Sequence, residues 1–542
     1  MPTGQDPAEV TVGERLFLET RFAQFFADFV AVSGDPNAPL PQGDPVMDFT
    51  ITTGAALPGP FAGQSMNCRA CHLVDEQVDG SGYGMRTYGD FARRSPIPDR
   101  GDGHLTAPRN SPSLVNASLA RKEGLLFHFD GEFSTMADLV RATLTGRNYG
   151  WLPREGDQSV ANLGRVIRQD DGSGTLASAF GGVPYRVLLT GTDPTIPPDQ
   201  RLPRAFRVDV ARATDRELFD AVAELVAAYT EHLEFSTDED GNFNLSPFDV
   251  FLSRNRLPRQ PKAGETAVDY SRRLLKRIRQ KEAAGALEFV NGNPNTESGA
   301  FEFHPAEPFQ FSPDELRGLK VFLSEPAGTP LNPSQVAAGG IGNCISCHAG
   351  PRFTDFRLDN TGATQVEYDA LHGPGAFMRL AVPGLAVRVM HHDRYLPATA
   401  QHPDATGRFR AVPDSQHPEL TDWGVWNVFA NPDFPKSQVR LRKILCDEDL
   451  GEHVCSPASL LSKSLALFKT AGLRDLSHSA PYLHNGQFDT LEDVIEFYRT
   501  SSGLQRARRL RNGAAELGGI ALAPGDVSLL AAFLRSLNED YQ

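Results

Sequence analysis

Cys68-Arg69-Ala70-Cys71-His72 and Cys344-Ile345-Ser346-Cys347-His348 are two copies of Cys-x-x-Cys-His, and they decide the reading of this chain. In such a pentapeptide two thiols add across the vinyl groups of a haem, and the adjacent imidazole becomes the fifth ligand of its iron. Six Cys and fourteen His among 542 residues would supply roughly 0.002 such motifs by chance. A zinc ribbon sets its Cys pairs roughly 15–20 residues apart, and a redox dithiol needs no following His. These two motifs lie in different halves of the chain. Two covalent c-type haems are therefore expected, one on Cys68, Cys71 and His72, the other on Cys344, Cys347 and His348.

A chain of 542 residues is too long for one core. Its 49 Gly and 40 Pro point to long irregular connections. A net charge of −15 argues against nucleic acid and acidic membrane surfaces, and is compatible with a basic electron-transfer partner. No run of eighteen apolar residues occurs, and residues 1–7 lack both a basic and an apolar signal region. Because c-type haem is attached outside the cytoplasm in bacteria, a periplasmic location is expected, with an export signal removed. Cys446 and Cys455 enclose eight residues, which in an oxidising compartment reads as a local disulfide.

Periodicity predicts a mainly α protein of two cytochrome-c-like haem domains with long loops and insertions. The expected division is 1–250 for an N-terminal c-haem domain, 251–300 for a connecting segment with a linker near 291–299, and 301–542 for a C-terminal c-haem domain. Thr214 and Glu217 form a capping box before a stripe of Leu218, Val222, Leu225, Val226 and Tyr229. Ser312 and Glu315 form another before Leu316, Leu319, Phe322 and Leu323. Residues 527–537 carry Leu530, Phe533, Leu534 and Leu537 at helical spacing, a helix to dock on the second domain.

A second repeat accompanies the haem motifs. Residues 127–140 align without gaps on residues 482–495, sharing Gly-x-Phe-x-Thr, an Asp and apolar residues on one helical face. The haem motifs are offset by 276 residues and these segments by 355, so the second domain carries about 79 extra residues. That insertion holds Cys446, Cys455, Trp423 and Trp426. Thr490 reads as an N-cap, and Leu491, Val494, Ile495 and Tyr498 follow at i, i+3, i+4 and i+7. Tyr498 thus points to the buried side, either as a core tyrosine or as a ligand. Its equivalent in the first repeat is Thr143, and threonine is not a usual haem ligand. The two irons should be ligated differently.

The chain resembles the bacterial di-haem cytochrome c peroxidases, and within them the MauG-like enzymes. The resemblance is carried by Gly13-Glu14-Arg15-Leu16-Phe17, both haem motifs, residues 109–116, Asp130-Gly131, Leu473-Arg474-Asp475 and residues 480–486. It implies a peroxidatic first haem, which reacts with hydrogen peroxide, and a second haem that stores oxidising equivalents. It also implies that the residue fourteen beyond His484, here Tyr498, is the distal ligand of the second iron; tyrosine there is the MauG-like pattern. A calcium ion between the domains is implied too, on the side chain of Asn110 and the carbonyls of Ser479 and Pro481, hard oxygen donors of the kind calcium takes.

Three departures qualify the resemblance. His104 is shifted by two residues from the family's displaceable His, leaving an iron cap, a distal base or an exposed loop residue as readings. Phe129 replaces the inter-haem Trp, so hole transfer must run directly or through Trp151, Trp423, Trp426 or Tyr149. The family's active-site Gln and Glu do not align cleanly. Heterolysis of peroxide needs a base and a polar or cationic group beside the leaving oxygen; Glu155 is the candidate base, with Arg147 and Asn148 for the second role. The expected function is MauG-like oxidation of a protein or small redox partner. Alternatives are an ordinary peroxidase fed by a small cytochrome or cupredoxin, and a non-catalytic electron carrier.

Overall fold

Two helix crossings, each made through a glycine, frame the two haem-motif units. Helix Ala8–Phe17 crosses helix Asp215–His232 at Gly13, where a Cβ would lie within 2.2 Å of Leu225 O and 2.9 Å of Tyr229 Cβ. Helix Pro313–Phe322 crosses helix Pro524–Arg535 at Gly318, where a Cβ would meet Leu529 O and, at 2.9 Å, Phe533 Cβ. Only glycine lets the two backbones approach this closely. The structure, a computed structural model, describes residues 6–40, 66–68, 71–72, 94, 97–119, 124–292, 308–328, 330–446 and 455–539.

The fold is mainly helical. Two antiparallel two-stranded pairs complete it among the described residues: Val290–Asn291 with Gln310–Phe311, and Leu358–Asp359 with Phe468–Lys469. Both expected capping boxes form, Thr214 with Glu217 and Ser312 with Glu315. The expected C-terminal helix begins at Pro524, just ahead of its apolar stripe, with Asp526 bonding back to the Ala523 N–H.

Among the described residues, apolar side chains collect in three cores. The first runs from Val12 to Ala227 and includes Cys71, Tyr149 and Trp151. The second joins Phe248–Phe353 to Leu491–Leu537. Helix Pro247–Arg254, which straddles the expected boundary at 250, and helix Ala267–Ala283, within the expected connecting segment, both contribute to it. The third joins Leu126 to apolar residues from Leu358 to Ala466 and contains Trp423, Trp426 and the Cys446–Cys455 disulfide. The insertion in the second unit is therefore not a loop but a body with its own core. The expected linker at 291–299 lies largely outside the described residues.

Candidate haem sites

The internal repeat is reproduced in backbone detail. Phe127 bridges Phe133 and Tyr482 bridges Phe488; His128 and Leu483 both have positive φ (59° and 69°), as do Gly131 and Gly486. Thr135 then caps helix Met136–Leu144 by accepting from the Asp138 N–H, and Thr490 caps helix Leu491–Arg506 by accepting from Asp493. Each loop delivers a helix toward its own unit's haem motif.

In the second unit the stripe Leu491, Val494, Ile495 and Tyr498 lines one cavity with Cys344, Cys347 and His348. That cavity measures about 370 Å³ and is walled mainly by apolar side chains. The imidazole of His348 is oriented by Nδ1, 3.0 Å from Phe353 O, and that of His72 by Nδ1, 3.0 Å from Pro112 O. A donor bond at Nδ1 leaves Nε2 as the metal-facing nitrogen. Burial pushes the Cys68 and Cys344 thiols up to about 12. A fixed imidazole beside two thiols in a mainly apolar cavity fits haem attachment.

The first unit is described only in part around Cys68, Cys71 and His72. The Tyr149 hydroxyl lies 3.1 Å from Cys68 Sγ. Burial lowers His72 to about 4, and the nearby His128, whose Nδ1 is 3.1 Å from Glu132, adds to that. Glu155 is clasped by Arg100 at 2.8 and 3.0 Å and accepts from the Leu152 N–H. Against the cost of burial, that guanidinium holds its carboxyl below the usual range. In this pairing Glu155 is ionised, and it accepts a proton only if Arg100 releases it. Arg147 pins the 98–104 loop through Asp102 and the carbonyls of Pro98 and His104. The side chains of His104 and Asn148 are exposed.

Where the units meet, Asn110 N–H donates to His484 O at 2.7 Å, and its side-chain amide donates to Pro481 O. The amide of Asn110 and the carbonyl of Pro481 are thus adjacent, and turning the amide over would point two oxygens at one place. Ser479 lies in the same stretch and also lines the cavity. Phe129 sits on the cavity wall with Phe468, whose ring stacks on His484 at 3.5 Å. Burial lowers His484 to about 3, so its ring is neutral. Trp423 and Trp426 pack edge-to-face at 5.0 Å in the third core, while Trp151 donates to Phe22 O in the first.

Sequence reasoning missed the ion-pair hub beneath this junction. Arg109 bonds Asp422 through Nε and Nη2 and Asp130 through Nη1, and Arg410 bonds Asp130 and Glu132. Arg109 appeared in the 109–116 segment, but its partner 313 residues away carries no local signal.

Fold and motifs define a mainly helical protein with two haem-attachment sequences. No family model matches the chain. It is 27% identical over 202 residues to the cytochrome-c peroxidase IdrP2 of Pseudomonas sp. (strain SCT), and 24% identical over 201 residues to that of Denitromonas iodatirespirans. Each match covers 37% of this chain and 37% of the relative, so the chain spans little more than a third of the length of these curated relatives. Among solved structures it is similar to the di-haem peroxidase BthA from Burkholderia thailandensis, at 17% identity and TM-score 0.40 over 99% of this chain and 87% of that one. It is also similar to a MauG-like protein associated with microbial copper homeostasis, at 14% identity and TM-score 0.42 over 100% and 92%. With its two motifs, the chain is thus similar in sequence to cytochrome-c peroxidases over part of its length.

Proposed function

We propose that the protein is a periplasmic di-haem c-type oxidoreductase of the MauG-like kind, reacting with hydrogen peroxide at the first haem and oxidising a protein or small redox partner. The observation that carries this reading is the asymmetry of the repeat: Tyr498 lines the cavity of Cys344, Cys347 and His348, whereas the equivalent residue is Thr143. Bound haem supplies the iron that takes peroxide and carries electrons. His72 and His348, each tied to a carbonyl, would present one imidazole to each iron. Tyr498 would offer its hydroxyl to the second iron, where the equivalent position holds Thr143, and the apolar stripe beside it would limit water there.

Calcium belongs to the proposal through Asn110, Pro481 and Ser479, whose neutral oxygens would join the units without a carboxylate. Peroxide added to the diferric protein, with optical and near-infrared spectra recorded, tests the enzyme reading. Consumption of peroxide with a spectral change of both haems is expected. Two six-coordinate low-spin haems unresponsive to peroxide would make it an electron carrier instead.

The curated relatives' names favour a second reading, an ordinary cytochrome c peroxidase, and Phe129 in place of the inter-haem Trp agrees with it. Rapid peroxide-dependent oxidation of a reduced small cytochrome or cupredoxin would select it.

A further inference from the structure

The insertion carries a cluster of metal-ligating side chains that the haem chemistry does not use. His392 opens the helix His392–Tyr395, His402 lies in the loop that follows, and Asp433 follows the turn made by Asn431. His402 Nδ1 is 2.9 Å and His392 Nε2 3.6 Å from the same oxygen, Asp433 Oδ2. The two imidazoles stack with centroids 3.6 Å apart and planes 25° from parallel. The ligating atoms all lie within 4.8 Å of one another. A tetrahedral ion with bonds of about 2.0 Å separates its ligand atoms by about 3.3 Å, so the three ligand atoms close on one ion once they draw together and the stacked rings turn apart.

The charge environment of Asp433 is a second observation. Its side chain is only 5% exposed, and burying a carboxylate demands a compensating cation. Asp130, Asp170, Asp249 and Asp422, similarly buried, each take an arginine. Asp433 instead faces two imidazoles, with Thr399 Oγ1 donating to Oδ2 at 2.5 Å. Two imidazoles and a carboxylate can meet that demand by sharing a metal ion. His392 Nε2 also lies 3.4 Å from Asn431 Oδ1, and its Nδ1 lies 3.9 Å from Asp393 Oδ1 without a hydrogen bond.

We propose that His392, His402 and Asp433 bind one divalent transition ion of the zinc–copper class. Two imidazole nitrogens and one carboxylate oxygen suit such an ion, whereas calcium and magnesium take all-oxygen sets. Three protein ligands leave a fourth position for water. Thr399 positions the carboxylate, and the ion ties the loop around His402 to the turn at Asn431. Oxidation state does not change on binding; any proton on the ligating nitrogens is released to solvent.

The test uses the haem-loaded protein, stripped with a chelator, dialysed into excess Ca²⁺ to fill oxygen sites, and titrated with Zn²⁺ by calorimetry. Zinc per chain is counted by elemental analysis, and haem by its Soret band. One Zn²⁺ per chain is expected, bound at least about tenfold more weakly in His402→Gln and in Asp433→Asn, with the Soret band unchanged. His402 is 34% exposed, so His402→Gln should fold and decides the matter if Asp433→Asn does not. Wild-type protein that retains no zinc, or variants that bind it equally well, overturns the proposal.

Discussion

Asn110 in the first unit and His484 in the second are joined by a main-chain hydrogen bond of 2.7 Å. Residues of both units, Asn110 and Pro112 on one side and His348, His484 and Tyr498 on the other, line the same cavity. Pro112 O also orients His72. The two haem motifs are therefore linked through one short segment, residues 110–112.

If calcium bridges Asn110, Ser479 and Pro481, chelation of the holoprotein with EGTA should lower its melting temperature by a few degrees. Asn110→Ala should lower the starting value and abolish the response to EGTA. A wild-type melting temperature indifferent to EGTA removes calcium from the account.

Replacing Arg109 by Leu should cost about 3–5 kcal/mol, because it leaves buried carboxylates at Asp422 and Asp130 with one partner fewer. Urea unfolding at neutral pH measures the loss; a change under about 1 kcal/mol would mean that the hub is dispensable.

Acid should unfold the protein through the same hub. Burial opposes ionisation of Asp130 and Asp422, yet Arg109, with Arg410 at Asp130, holds both carboxyls below the usual range. A depressed folded value gives stability that is complete above the unfolded carboxyl value, about pH 4, and is shed as pH falls through the folded values. Stability should be flat from pH 7 to about 5 on this account and fall below about 4, and Arg109→Leu should raise the acid midpoint.

Gly13→Ala and Gly318→Ala should each destabilise by about 1–3 kcal/mol or more, since the added Cβ meets backbone rather than a flexible side chain. Gly503→Ala, in helix Leu491–Arg506 with nothing within 4 Å of its Cβ, is the control and should stabilise by about 0.5–1 kcal/mol. Calorimetry of the three variants checks the contrast.

What was legible in the sequence is what is encoded locally. The caps at Thr214, Ser312 and Thr490 and the stripe ending at Tyr498 rest on spacings of a few residues and formed as expected, and the shared Gly-x-Phe-x-Thr core proved to be a paired turn at Gly131 and Gly486. The helix crossings at Gly13 and Gly318 obey the same periodicity, but their close approach shows only when the partner helices are in place. Pairings such as Arg109 with Asp422, Arg410 with Glu132 or His402 with Asp433 join segments that no periodicity connects. The third core was hidden for a related reason. Its apolar residues are scattered through short helices and loops, so the insertion read as extra length rather than as a body.

The central claim, that the two haems are closed differently because Tyr498 has Thr143 as its counterpart, is tested most directly by electron paramagnetic resonance of the ferric holoprotein beside Tyr498→Phe. The account predicts one high-spin and one low-spin haem in the wild type, with the substitution altering the low-spin signal and sparing the high-spin one. A low-spin signal unchanged in Tyr498→Phe would show that Tyr498 does not ligate iron, and the proposed asymmetry would fall with it.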